Sequence, residues 1–297
     1  MGHNGNSYYI GIDLNDSYAM VSFFQQNMKE PETVSTVAGS EEFQIPLVLA
    51  RRKSIGKWYY GDEARRLSKS GEMVCIDQLL KRALNSEKIV IDDDSFMAEE
   101  LLALFLKKVM ELPSKLGNPS SFDRLVICVD RLTKENVSMF YGMVVRLGIN
   151  SRQLMVIDRK ESFYYFALNQ DKSLWIHDVV MFMQEKESIF FYSLKRDLRT
   201  TPQVVSIDES ISYTLDKNDK DKSFLDIINE SFKNQIISTV FLVGDTFAEG
   251  WMKQSVALLC KGRRVFMGNN LFTKGACYAA ATRDKEAEWP FVYMGEN

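Results

Sequence analysis

The stretch YYIGIDLNDSYAMVSFF, residues 8–24, decides how the whole chain is read. Residues 8–12 alternate into an apolar run, and residues 18–24 form a second one. Between them lies Asn15-Asp16, a pair suited to a tight turn. The spacing predicts a β-hairpin with Asp13 at the end of its first strand.

Outward from this hairpin the pattern becomes α/β. Residues 43–52 read as a strand, with Pro46 at its start or on a sheet edge. Residues 58–66 read as a return strand that enters a helix at Asp62. Residues 75–84 read as a short helix. Within residues 92–117, Met97, Leu101, Leu104, Phe105 and Met110 recur at helical spacing, with Asp94 or Ser95 as the cap. RLVICVD (124–130) and QLMVID (153–158) are continuous apolar runs, suited to strands buried on both faces. Each precedes a helix, 133–149 (capped by Thr133 and stopped at Gly148) and 159–170. Strand and helix in alternation predict a mainly parallel sheet flanked by helices.

A second unit starts near Ser173 and opens again with two strands, 174–197, around the turn QEKES. A strand at 201–212, a solvated charged loop at 216–222 and a helix at 223–235 follow. Next come a buried strand at 238–245, helices at 248–262 and 269–284, and a short strand between these helices. The division expected is therefore 1–172 and 173–297. Trp289, Phe291, Val292 and Tyr293 suggest a strand that begins a further domain beyond residue 297.

The totals bound the function. With 297 residues, about three quarters of the unfolded chain's surface can be buried. The net charge of −3 gives no reason to expect nucleic acid or an anionic membrane as partner. No apolar run approaches a membrane span, and the first residues lack a signal-peptide pattern. The four cysteines form no CxxC motif, and Cys75, Cys128 and Cys260 sit in apolar contexts that read as reduced core positions. Together these points favour the cytoplasm. With only His3 and His177 present, His3 in a tail read as loose, a histidine metal site or a Ser-His-Asp triad is nearly excluded.

In this order the segments resemble the actin-like ATPase superfamily, and most closely the nucleotide-binding domain of the heat-shock chaperones. YIGIDLNDSYAMV resembles the first phosphate hairpin. The strands and helix of 43–66 and the alternation of 123–168 resemble the rest of the first lobe. TVFLVGDTFAEGWMKQSVALL resembles the adenosine loop with its helix, and NNLFTKGACYAAA the closing helix. The resemblance implies a ribonuclease H-like duplicated fold, two lobes each with a mixed, five-stranded type of sheet flanked by helices.

The resemblance also assigns candidate residues. Asp13 and Asp178 become the carboxylates that hold Mg²⁺, and Asn15, Asp16 and Ser17 the first phosphate loop. Gly244, Asp245 and Thr246, with Lys274 and Gly275, become the adenosine site. Asp158 and Glu161 are displaced candidates for positioning water, because the family's glutamate falls near Arg159. Lys81 is a displaced candidate for steadying the γ-phosphate, two residues from the aligned Leu79. Each has a plainer alternative: Asp13 can cap the turn, Gly244 can serve a strand-to-helix turn, and the charged candidates can be solvated helix faces.

Two departures bear on activity. Asp16 stands where the family has a small hydroxyl residue, and a carboxylate near a triphosphate is repulsive, about 4 kcal/mol for two unit charges at ~4 Å and an effective dielectric of 20. Asp178 is followed by Val179-Val180-Met181-Phe182 where the family has glycines, and such side chains resist the positive φ of a phosphate loop. The expectation is a binding or scaffold module with degenerate phosphate loops, acting on an unidentified protein partner. The alternative is a slow ATPase that holds Mg-ATP between its lobes.

Overall fold

The computed structural model describes residues 7–295 except 38, 54, 72 and 211. His3 lies outside the described residues. The first part of the chain forms β1 (Tyr8–Leu14), β2 (Tyr18–Gln25), β3 (Glu32–Thr33), β4 (Ile45–Pro46), β5 (Leu49–Arg52), β6 (Trp58–Tyr60), α1 (Gly61–Leu67), β7 (Met73–Ile76), α2 (Leu79–Leu84), β8 (Lys88–Ile91) and β9 (Asp94–Met97). It continues with α3 (Ala98–Met110), α4 (Leu112–Lys115), β10 (Arg124–Val129), α5 (Lys134–Gly142), α6 (Val144–Leu147), β11 (Leu154–Asp158) and α7 (Arg159–Leu168). The remainder forms β12 (Asp178–Glu185), β13 (Ser188–Asp197), β14 (Gln203–Glu209), β15 (Tyr213–Thr214), α8 (Lys220–Ser231), β16 (Ile237–Val243), α9 (Gln254–Leu259), β17 (Arg264–Met267), α10 (Leu271–Asp284) and β18 (Phe291–Tyr293). The fold is α/β with mixed sheets.

The compact units do not follow one cut near residue 172. The first comprises residues 1–162 with 272–284, and the second residues 163–271 with 285–297. Helix α10 belongs to the first unit because of a close approach. A Cβ on Gly11, in the middle of β1, would lie 2.5 Å from the Thr273 carbonyl oxygen and 2.7 Å from the Cys277 nitrogen. Only glycine lets the helix backbone come this near the strand. The Thr273 hydroxyl donates to the Gly11 carbonyl at 3.0 Å, and the Ser162 hydroxyl to the Phe272 carbonyl at 2.7 Å.

The main sheet of the first unit runs β11-β10-β1-β2-β3, with β4 also on β2. β1, β2 and β3 are antiparallel neighbours, while β10 and β11 run parallel to β1. β1 and nearly all of β10 are buried, as expected of central strands covered on both faces. The second unit's sheet runs β17-β16-β12-β13-β14, with β15 on β13 and β18 on β14. Its directions repeat: β12, β13 and β14 are antiparallel, and β16 and β17 are parallel to β12.

Several expectations change. Cys75 lies in strand β7, so the helix expected over 75–84 is confined to α2. Asp94 and Ser95 belong to β9, which pairs with β8 across the turn at Asp92 and Asp93, and α3 starts only at Ala98. There the Glu100 carboxylate accepts the Met97 N–H at 3.1 Å, so a residue inside the helix closes its first turn. The helix expected at 133–149 breaks at Met143 into α5 and α6, while Thr133 and Asn136 form a reciprocal capping pair and Gly148, at φ 77°, ends α6. The charged loop is not merely solvated: Asp219 caps α8 through the Lys222 N–H, and Asp221 accepts from the N–H groups of Gln254 and Ser255 at the start of α9. β12 begins at Asp178 rather than 174, and α9 covers only part of the helix expected at 248–262. β18 pairs parallel to β14 and so completes the second unit's sheet, where a strand of another domain was expected. The cysteines are free thiols, yet Cys75 and Cys260 are exposed and Cys128 and Cys277 buried, so two of the three expected core positions are at the surface. Among the described residues no helix is long and apolar enough to cross a membrane.

Candidate functional site

In the first unit, three parallel neighbours, β1, β10 and β11, reach the same sheet edge. At or just beyond their ends stand Asp13, Asp130 and Asp158. The carboxyl ends of parallel strands are where an open α/β sheet presents its ligand-binding groups. Asp13 is buried, 2% exposed. Arg159, the first residue of α7, reaches back to this edge. Its Nε lies 3.7 Å from Asp13 Oδ1, and its Nη2 lies 3.0 Å from Asp130 Oδ1. Asp13 Oδ1 makes no hydrogen bond. Burial pushes the Asp13 carboxyl up to about 6, with Arg159 acting against that rise and Asp130 adding to it. A fixed guanidinium thus supplies the positive charge beside the carboxylate assigned to the metal.

The turn after Asp13 is closed on itself. The Asn15 carboxamide oxygen accepts the backbone N–H groups of Ser17 at 2.8 Å and Tyr18 at 3.0 Å. This is Asx-turn chemistry, and it occupies two N–H groups that a phosphate loop would turn toward its ligand. Asp16 accepts the backbone N–H of Lys81 at 3.0 Å, on the first turn of α2. Gln78, which precedes that helix in the left-handed region at φ 51°, gives no side-chain cap. The carboxylate comes instead from the hairpin, 65 residues away in sequence. Asp16 therefore has a structural task, as does Asn15, and the Lys81 backbone meets the hairpin through its amide. Ser17 is exposed.

The other first-unit candidates also have partners. Asp158 accepts the Glu161 N–H at 2.8 Å at the start of α7. Burial, with Asp158 nearby, pushes the Glu161 carboxyl up to about 7 against the pull of Arg283. Lys274 pairs with Glu30 at 3.3 Å. Gly275 is a packing residue: a Cβ there would come 2.2 Å from the Ser162 carbonyl oxygen.

In the second unit, Gly244, Asp245 and Thr246 follow β16 beside the end of β12. Gly244 has φ 124°, and a Cβ on it would meet Gln184 Cβ at 2.5 Å, so both conformation and space require glycine. Gln184 accepts the Thr246 N–H at 2.9 Å and donates to the Lys186 carbonyl at 2.9 Å. This side chain ties the β12–β13 turn to the Gly244 loop. Thr246 is buried, its carbonyl accepting from Trp251 Nε1 at 2.6 Å, and Asp245 is exposed.

Asp178 is elsewhere. It opens β12 and pairs with Ile237 at the start of β16, six residues before Gln184. At ~3.3 Å per residue this puts it roughly 20 Å from the Gly244 end of the same sheet. Its neighbours in charge are Lys195 and Arg196. The sequence alignment to a phosphate hairpin misplaces it, because the turn lies at Lys186-Glu187, after the full length of β12. In the strand register Val180 lies opposite Val240 and Phe182 opposite Leu242, and all four are core positions.

Within each unit, groups assigned to magnesium and nucleotide already have partners in the chain. Asp13 is engaged by Arg159, the first turn's amides by Asn15, and the Gly244 loop by Gln184. Among the described residues no group of three His, Cys, Asp or Glu side chains is placed to hold a metal ion. Sequence reasoning missed Arg159, Asp130 and Gln184. The signal for Arg159 was available, since an arginine at the position aligned with a glutamate reverses the charge facing Asp13.

No curated protein matches the chain. The family described as "Family of unknown function (DUF5716) C-terminal" matches residues 30–296. The chain belongs to that family.

Proposed function

We propose that this chain is an actin-fold scaffold, related to the nucleotide-binding domain of heat-shock chaperones, whose phosphate loops have become structural and which acts by binding a protein partner. The repeated sheet plan supports the duplicated fold: in each unit three antiparallel strands continue into two parallel ones. The observation that carries the loss of nucleotide chemistry is the Arg159–Asp13 pair. A divalent ion approaching Asp13 would meet the guanidinium of Arg159, which Asp130 also holds, and the two positive charges would repel. A cytoplasmic location belongs to the same reading and is supported by four free thiols, two of them exposed.

Isothermal titration with ATP, with and without Mg²⁺, tests this. The expected result is no binding up to millimolar ATP in either buffer. Micromolar, magnesium-dependent binding would overturn the proposal.

A further inference from the structure

Charge is unevenly spread in the first unit. Residues 51–72 hold seven Lys and Arg against three Asp and Glu, in a chain whose net charge is −3. The fold sorts these charges further. β5 pairs antiparallel with β6, Arg51 opposite Trp58, and with β7, Arg52 opposite Met73. The β5–β6 turn and the start of β7 therefore share one end of this small sheet. Helix α1 covers one face of the sheet, Ala64 packing with Val48 and Ala50. It starts at the far end of β6 and leads through the 3-10 turn Ser68–Ser70 back to β7. Asp62 and Glu63 lie in its first turn, at the far end, and Arg65 and Arg66 in its last, followed by Lys69. Lys53 and Lys57 flank the β5–β6 turn at that same end. Glu72 lies outside the described residues.

These cations are not answered from within the chain. Arg51 is paired with Asp94, on the face of β5 opposite to Ala50. Among the described residues, Lys53, Lys57, Arg65, Arg66 and Lys69 make no ion pair, and all five are exposed. The turn beside them is preformed: the Arg52 N–H donates to the Lys57 carbonyl at 3.0 Å, and the Gly56 N–H to the Arg52 carbonyl at 2.9 Å, with Gly56 at φ 64°. Ile55, between the two lysines, is 62% exposed. Trp58 and Tyr59 follow, half-buried, with Lys57 Nζ 4.8 Å from the centre of the Tyr59 ring. A turn tip is convex, so it suits a flat surface better than a peptide that needs a cleft. Aromatic rings and long cationic side chains are the groups that settle where lipid meets water.

We propose that this end of the first unit docks on an anionic membrane surface, Ile55 entering the lipid and the five cations lying against the acidic headgroups. One short apolar anchor holds a protein only weakly, and each Lys or Arg near the surface adds to the attraction, so the two work together. The overall charge of −3 does not oppose this, because at about 0.1 M salt a surface feels charges within roughly 10 Å, which is the local patch. The inference goes beyond the scaffold reading and does not depend on it.

The test is co-sedimentation of the full chain with lipid vesicles. The protein is expected to bind phosphatidylcholine vesicles that contain about 30% phosphatidylserine, to leave pure phosphatidylcholine unbound, and to be released as salt rises from about 0.1 M to about 0.5 M. Lys53→Gln, Lys57→Gln, Arg65→Gln and Arg66→Gln together should weaken binding at least about tenfold with the thermal transition kept, since all four side chains are exposed. Gln at four exposed lysines of the second unit, Lys172, Lys233, Lys253 and Lys261, should weaken it less than about twofold. Ile55→Ser should weaken it several-fold. No binding to the acidic vesicles, equal binding to both kinds, equal losses in the two quadruple variants, or unchanged binding by Ile55→Ser would overturn the proposal. So would binding of a polyglutamate peptide or a DNA oligonucleotide that the first quadruple variant loses while vesicles stay unbound, since the patch would then serve an acidic macromolecule in solution. None of these outcomes depends on ATP titration, so failure of the membrane surface and failure of the scaffold reading are separately visible.

Discussion

At the scale of single residues, Asp13 joins the sheet, its burial and its charge most closely. It sits where the sequence resemblance places a metal ligand, but its charge is answered from within the chain. The burial that isolates it also makes its protonation a stability matter. Its folded carboxyl is raised from 3.8 to about 6, so the fold favours the neutral acid. The contribution is fully present below about pH 4 and is lost as pH rises through about 6, because the unfolded chain then releases the proton more easily. Asp13→Asn keeps the neutral state at every pH. Relative to wild type, the variant should therefore gain roughly 2 kcal/mol between pH 4 and pH 7, read from urea unfolding at the two values. Loss of the Arg159 pairing shifts the variant by an offset but does not set this slope. A difference between the two proteins that stays constant with pH would show that Asp13 is not held in this way.

At the scale of elements, capping across long sequence separations shapes much of the site. Asp16 looks, in sequence, like a residue hostile to phosphate. In the fold it is the N-terminal cap of α2, which its own preceding residue does not provide. Asp221 does the same for α9. Local reading finds caps that lie one residue before a helix, as with Thr133, and misses those delivered by another element. This is why the hairpin turn was legible as a turn while its purpose was not. Asp16→Ala should cost about 1 kcal/mol of helix stability. Amide hydrogen exchange would localise it: the Lys81 N–H should lose protection several-fold, while amides in β1 and β10 keep theirs. Uniform loss across the unit, or none at Lys81, would refute the assignment.

At the scale of the whole molecule, the sequence made the fold class legible and its partition less so. Buried runs such as RLVICVD are strong signals because a strand covered on both faces needs almost continuous apolar residues, and β10 is such a strand. The β12–β13 turn was legible as well, but not the strand's full length, and the phosphate-hairpin alignment therefore placed Asp178 at the wrong end. The split at 172 failed because chain order says nothing about which strand a late helix covers. Gly11 carried that information: an unsubstituted Cα inside an otherwise apolar strand marks a close approach, here by α10. The first unit is thus discontinuous, closed by residues 272–284. A fragment ending at residue 172 would lack that helix and expose the face of β1 that Thr273, Ala276 and Cys277 cover. It is expected to show no cooperative thermal transition by circular dichroism. A synthetic peptide spanning 269–285 should restore one in trans, and the same peptide with Gly275→Val should not, since its Cβ would strike the Ser162 carbonyl. A fragment that melts cooperatively at the full-length temperature without the peptide would mean that α10 is dispensable to the first unit.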